Sequence, residues 1–398
     1  MRLSTSAIYQ LKVQNLLEQQ AALSKTQSQI ATGKRVQTPA DDPVAAAQLS
    51  KLADTQAQAE QFGKNSALVT NRLQTEEQAL ADAHAVLQRT RELVLQANTA
   101  TLSDGDRTSI ATELKSRLDE IMSIANRKDA NGEYLFAGYA GGTQPFSRGQ
   151  TGAVNYLGDS GARSVPVGAG LSVQDSDTGS HVFMSIPAGN GLFTTAAGAT
   201  NTGSGVIDAG SINSRGAWVT GAFTLGFTSG SAWQVTDSSN VVVASGNYTS
   251  GGAIAFNGVQ VSIIGAPAAG DTFTIATAGT RDIFSTLDGI VTALQGGASN
   301  DALRAQLNSS LNGSLQQLDQ ATEQLLTVRS QVGARLSTLD DADGARQAQL
   351  TDLQISAGQL VGLDYAAAVS KMSQQTVALQ AAQQSFASIA KLSLFNYL

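Results

Sequence analysis

The chain has no cysteine, which excludes disulfides, thiolate nucleophiles and zinc–thiolate centres and fits an extracellular protein. Charged residues make up only 14% of it and aromatic residues only 5%. The formal net charge of −7 leaves no excess of Lys and Arg for a phosphate backbone or an anionic bilayer, so neither nucleic acid nor membrane insertion is expected. No hydrophobic run approaches a membrane span. The opening "MRLSTSAIYQLKVQNLL" lacks the apolar stretch and small-residue cleavage site of a secretory leader, so any export is expected to occur without a cleaved signal peptide.

Proline is also scarce, yet two of the six fall within "TPADDP". Asp42 can accept from the free N–H groups of a starting helix, and Pro43 fits the first helical position, where no N–H is required. Asp41 places negative charge beside the same helix end, while Gly33 can close the preceding helix in the left-handed conformation. Asp41, Asp42 and Pro43 are therefore expected to form a helix corner. Carboxylates engaged in capping are not free for acid–base chemistry.

What is present is a seven-residue period. Tyr9, Leu16, Leu23 and Ile30 lie seven apart, as do Leu52, Ala59, Ser66, Leu73, Leu80, Leu87 and Val94, the second set running to about Thr99. A third helix, starting at Ser103 and running to about Lys128, carries Ile110, Leu114, Leu118, Ile121 and Ile124 on one side. Near the other end Leu311, Leu318, Leu325, Val332 and Leu339 repeat the interval. After an Asp-rich segment, "LDDADGARQ", expected to be a second corner, Tyr365, Met372, Leu379 and Phe386 repeat it again. Between about Asn131 and Gly279 the chain is dense in Gly, Ser and Thr, and runs such as "AWVTGAFTLGF" and "DTFTIATA" predict strands.

The expected fold is α+β: an elongated antiparallel, coiled-coil-like helical rod made by both chain ends, with an inserted, mainly β domain. The divisions are an N-terminal export and assembly helix (1–35), two halves of the rod (36–135 and 281–360), the β domain (136–280) and a C-terminal assembly helix (361–398). Thin stripes cannot each form a core, so the two ends must meet. The stripes from Leu52 to Val94 and from Leu311 to Leu339 are read as internal core. Those from Tyr9 to Ile30 and from Tyr365 to Phe386 are read as surfaces for partner subunits.

No catalytic constellation emerges. His84 and His181 stand alone, and "DSDTGS" at Asp175 and "DDADG" at Asp340 lack the ligand spacing of a calcium loop; they read as a surface turn and a helix corner. No nucleotide, metalloprotease or nucleophile-elbow motif occurs, so no enzyme, metal or cofactor is expected.

"ATGKRVQTPADDPVAAAQLSKL" resembles the segment after the first helix of the bacterial flagellin family, and "NGEYLFAGY" at Asn131 resembles the turn and strand after that family's helical region. "YLGDSGARSVPVGAG" at Tyr156, "GDTFTIATAG" at Gly270 and the ending from Leu363 to Leu398 are similar to the family's hook–filament junction branch. No family motif is found from about Gly189 to Ala266. The resemblance implies a structural, non-enzymatic flagellar subunit, exported unfolded and located outside the cell between hook and filament. It implies self-association in a tubular ring, contact with a neighbouring hook-associated junction protein and with filament flagellin, and a cytoplasmic export chaperone covering the C-terminal helix. Carried over by position, Leu16, Leu23, Ile30, Met372, Leu379, Phe386, Ile389 and Leu392 would face assembly partners or the chaperone. A filament flagellin, or a secreted adhesin using Trp218 and Trp233, remains the alternative.

Overall fold

The computed structural model describes residues 5–99, 102–150 and 152–395. Among the described residues there are six α-helices: α1 (Thr5–Thr32), α2 (Pro43–Ala97), α3 (Asp104–Ala125), α4 (Ile283–Gln295), α5 (Asp301–Val361) and α6 (Tyr365–Phe395). The chain divides into two compact units, one of Met1–Lys64 with Ala342–Leu398 and one of Asn65–Asp341.

In the larger unit α2 and α5 run antiparallel. Cross-helix pairs fix their register: Arg329 Nη2 lies 2.6 Å from Glu77, Arg91 Nε 2.8 Å from Asp319, and the Asn98 and Asn312 carboxamides bond at 3.0 Å. Along these two helices the expected seams close. Leu73, Leu80, Leu87 and Val94 on α2 and Leu311, Leu318, Leu325 and Val332 on α5 are almost wholly buried in one core. Helix α3 begins with a capping box in which Ser103 and Asp106 bond reciprocally, and it buries its predicted stripe. Helix α4 packs beside it, started by the Asp282 carboxylate on the Ser285 N–H and burying Phe284, Leu287, Ile290 and Leu294.

The inserted region is antiparallel throughout. Two ribbons, β1 (Phe146–Arg148) with β2 (Val154–Tyr156) and β3 (Ser164–Gly168) with β4 (Leu171–Gln174), add side chains to the helical core. There Phe136, Phe146, Phe183 and Phe284 form an aromatic cluster with ring centroids 5.1–6.1 Å apart. The following strands are β5 (Ile186–Pro187), β6 (Phe193–Ala197), β7 (Val206–Ile207), β8 (Ser211–Ile212), β9 (Ala222–Ser229), β10 (Ala232–Thr236), β11 (Val242–Asn247), β12 (Ala253–Phe256), β13 (Val259–Ile264), β14 (Thr272–Thr277) and β15 (Thr280–Arg281). Strands β11-β10-β9-β14-β6 form a five-stranded sheet, β12-β13-β7 form another with β8 beside β13, and β15 pairs β5. Phe193, Phe223, Leu225, Phe227, Val261 and Phe273 belong to the separate core of this β-region.

Three expectations are corrected. The Asp-rich segment at Asp340 is no corner, because α5 continues to Val361. No proline interrupts it, Asp343 pairs with Arg346 one turn on, and Gly63 of α2 leaves room for the Arg346 guanidinium, which an added Cβ would approach to 2.7 Å. The real break is at Gly362–Asp364, where the Asp364 carboxylate accepts the Ala367 N–H. Secondly, "NGEYLFAGY" contains no extended strand: Asp129 accepts the N–H groups of Asn131 and Glu133, Gly132 has φ of +83°, and the tight turn they make is followed by a single bridge of Tyr134 to Lys128. Leu135 and Phe136 then enter the core from irregular backbone. Thirdly, Asp175 to Thr178 is not a surface turn but is buried.

Candidate assembly site

In the smaller unit α1 and α6 pack against each other. Their stripes meet. The ring of Tyr9 lies 4.9 Å from that of Phe386, and Leu16 and Phe386 line a groove of about 220 Å³ together with Lys12, Asn15, Gln19 and Ala382. Leu16, Leu23, Ile30, Met372, Leu379 and Phe386 are all only half-buried. Ile389 and Leu392 fall on α6, but their side chains lie outside the described residues. Among the described side chains of α1 and α6, only Thr26 and Ala368 are buried, and no large apolar one is. Leu11, Leu17, Val369 and Val377 project as a further apolar set, with Leu17 and Val377 61% and 63% exposed. Sequence reading missed this set because none of the four belongs to the seven-residue stripe.

The helix corner is built as the residue types require. Gly33 ends α1 with φ of +68°, and a Cβ there would lie 2.7 Å from the Tyr365 hydroxyl oxygen. Asp42 accepts the Ala45 N–H at 3.0 Å ahead of Pro43, as expected of a cap. Asp41 acts differently. Its carboxylate accepts the N–H groups of Gln37 and Thr38 and pairs with Lys25 of α1, so it closes the loop in addition to its proximity to the α2 end. The Lys25 ammonium first, then the two N–H groups, hold the Asp41 carboxyl far below the ordinary range; the Ala45 N–H and Arg35 lower that of Asp42. The corner is stitched to the α5–α6 break: Arg35 donates from its main chain to Val361 at 2.7 Å and from its guanidinium to Leu360, and Leu363 donates back to Gly33.

The larger unit holds a buried ionic network that sequence reading also missed. Arg72 of α2 contacts Asp129 at 2.6 Å and Glu133 at 3.1 Å, with Asp175 at 3.8 Å; Arg163 holds Asp175 at 2.5 Å. Asp177 receives both Nη groups of Arg335 on α5 at 2.9 Å and donates its N–H to Glu76, one turn from Arg72. Burial first, then the Asp177 charge, pushes the Glu76 carboxyl well above its ordinary value. The network ties the 175–178 segment to α2 and α5. Every carboxylate in it faces an arginine or a main-chain N–H, and Asp175 also accepts the Ser176 hydroxyl at 3.3 Å.

His84 and His181 stay apart from any second ligand, and among the described residues no cluster of His, Asp and Glu has metal-site geometry. Trp218 packs against Phe193 and Phe223, and the Trp233 indole donates to the Asn247 carbonyl at 3.1 Å, so both are part-buried components of the sheet layer. That placement gives no support to a stacking platform for sugars. None of the described helices is long and apolar enough to cross a membrane.

Comparison with known proteins matches residues 3–141 to the bacterial flagellin N-terminal helical region and residues 315–398 to the bacterial flagellin C-terminal helical region. Residues 197–277, mostly within the stretch without a recognised motif, match a D2-like domain of flagellar hook-associated protein 1. Flagellar hook-associated protein 3 of Escherichia coli K12 is 27% identical over 100% of this chain and 99% of its own. A solved FlgL from Xanthomonas campestris is 36% identical, covering 77% of this chain and 99% of that one with a TM-score of 0.74. The flagellar junction protein FlgL from Legionella pneumophila gives 33%, 79%, 99% and 0.73. A flagellin match such as that of Shigella flexneri covers only 49% of the chain. With identity above 30% across nearly the whole of two solved relatives, the chain belongs to the FlgL, or hook-associated protein 3, family of the flagellin group.

Proposed function

We propose that this chain is a structural subunit of the bacterial flagellum that joins the hook to the filament and gives the filament a base on which to assemble. The observation that carries the reading is the unfinished packing of α1 and α6: two long helices, paired with each other, that bury no large apolar side chain among those described. Apolar area removed from water contributes about 25 cal/mol per Å², so Leu17 and Val377 lose that stabilisation until another subunit covers them. Subunits repeating this contact in a ring would supply the cover. On this reading segments 1–35 and 361–398 are assembly segments, and Leu16, Leu23, Ile30, Met372, Leu379, Phe386, Ile389 and Leu392 meet neighbouring subunits. Before export the same α6 surface would be held by a cytoplasmic chaperone, the β domain of 136–280 would face outward, and no catalytic step is assigned.

Deleting the gene and examining cells by electron microscopy, with flagellin measured in the medium, tests the proposal. Bare hooks and flagellin lost to the medium are expected. Normal filaments on the deleted cells would overturn the reading.

A further inference from the structure

A groove of about 310 Å³ lies among strand β6, helix α5 and helix α4, all within the larger unit. Both of its ends are closed. Gln317 of α5 accepts the Gly189 N–H and donates to the Pro187 carbonyl, both at 3.2 Å. About three turns earlier Gln306 donates to the carbonyls of Ala199 and Asn201. Between these pins α5 approaches β6 at Gly313, where an added Cβ would lie 3.9 Å from the Thr195 carbonyl oxygen, so no further backbone passes between helix and strand. The space that remains suits one small molecule and excludes a polymer threading through it.

The lining carries unmatched polar groups of two kinds. Ser309 is only 5% exposed and its hydroxyl has no hydrogen-bond partner, an arrangement that costs stability until a partner is supplied. Strand β6 adds main-chain groups. Its pairing with β14 is flanked by bonds from Gly198 N–H to Thr272 and from Ala278 N–H to Leu192, so antiparallel alternation turns the N–H and C=O groups of Thr195 and Ala197 away from β14. The other kind is charge. Arg281, at the end of β15, lines the groove, and the missing Cβ of Gly289 leaves its Nη2 room at 3.6 Å. No Asp or Glu lines the groove, and no carboxylate pairs with Arg281 among the described residues.

We propose that this groove binds one free sugar acid of hexuronate size, a small monocarboxylate bearing hydroxyl groups, with its carboxylate on Arg281 and its hydroxyls on Ser309 and the outward main-chain groups of β6. The one guanidinium, unopposed by any carboxylate in the lining, balances a single negative charge and can hold a carboxylate through two parallel bonds. Hydroxyl groups both donate and accept, which is what Ser309 and the mixed N–H and C=O groups of a strand edge require. The lining is Ser, Thr, Gln, Gly and Ala apart from the arginine, so it offers neither an aromatic ring nor a large aliphatic side chain to an apolar ligand. Occupancy would tie α5 to β6 between the two glutamine pins and slow local opening of that edge.

The test uses the intact chain with three probes: glucuronate, its neutral isostere glucuronamide, and acetate, which keeps the carboxylate and lacks the hydroxyls. Glucuronate is expected to bind saturably, to slow amide exchange at Thr195 and Ala197 by about three-fold or more, and to bind about five-fold more tightly than glucuronamide and than acetate. Arg281→Gln, at an exposed position, should abolish the preference for glucuronate over glucuronamide with the melting temperature of the free chain unchanged. Ser310→Leu should fill the groove and abolish binding; if that variant does not fold, Gly313→Leu fills the same wall. Unchanged exchange at millimolar glucuronate would overturn the proposal, as would equal binding of glucuronamide or wild-type binding by the filled variant. Acetate binding as tightly as glucuronate would show an adventitious ion only and overturn it equally.

Discussion

Replacing Glu76 by Gln is expected to change how stability depends on pH, and the structure fixes the sign. Glu76 is wholly buried; one carboxyl oxygen accepts the Asp177 N–H at 2.9 Å and the other has no partner. Burial, and then the Asp177 charge, raises its folded pKa above the unfolded value despite the opposing effects of the Asp177 N–H, Arg335 and Arg72. A raised carboxyl contributes stability that is fully present below the unfolded pKa and is lost as pH rises through the folded one. Between the two values the folded chain holds the extra proton, and stability falls by up to about 1.4 kcal/mol per pH unit. Gln keeps the oxygen that Asp177 needs and cannot ionise. Its NH₂ group meets no acceptor, which shifts stability by a pH-independent amount of about 1–3 kcal/mol and leaves the slope alone. Urea midpoints followed by far-ultraviolet circular dichroism from about pH 4 to pH 8 should therefore show the variant gaining on the wild type as pH rises. A constant offset across that range, or a wild type that gains on the variant, would refute the assignment of a proton to Glu76.

Phe386→Asp should leave the β-region folded and abolish incorporation into flagella, because a charge would enter the contact with Tyr9; wild-type motility would refute this. Leu17→Gln combined with Val377→Gln should leave the helix content of the isolated chain unchanged and reduce assembly, and normal assembly would remove these two residues from the interface. Gly33→Ala should cost about 1–2 kcal/mol in thermal unfolding, since the backbone is left-handed and the Tyr365 hydroxyl occupies the added methyl's space. Asp271→Ala should cost about 3 kcal/mol, measurable by Trp fluorescence during urea unfolding, because Thr202, Gly203 and Ala268 would lose the acceptor of their N–H groups.

The helical scaffold was legible because its signals are local. The Ser103–Asp106 cap, the Asp42–Pro43 start and the Gly33 stop each need only a few neighbouring residues, and the stripe from Leu73 to Val94 needs only a period. Helix α4 was overlooked although Asp282 followed by Ile283, Phe284, Leu287, Ile290 and Leu294 carries the same kind of signal; its single short stretch follows directly on strands. The ionic network was not legible at all. Asp175 and Asp177 read as turn residues until Arg72, Arg163 and Arg335 arrive from three distant positions, and no local rule anticipates that. The stripes from Tyr9 and Tyr365 fall on α1 and α6, which pack together, yet the exposed Leu11, Leu17, Val369 and Val377 escaped because spacing locates one face and says nothing of a second.

One period therefore serves two physical ends in this chain. In the larger unit Leu80 and Leu318 are closed off from solvent because α3, α4 and the β1–β4 ribbons pack against the same core as the α2–α5 pair. In the smaller unit Leu16 and Leu379 carry the same interval on helices whose principal helical neighbour, among the described elements, is each other. A two-helix pair has too little surface to enclose a seam from every side, so its leucines stop at half-burial. The deciding variable is the number of elements around the seam, and that number is a tertiary property. Where a heptad stripe remains half-exposed in the monomer, the missing walls must come from another molecule or the stripe stabilises little. The exposure of Leu17 and Val377 on the same helices extends that requirement beyond the pair's own seam.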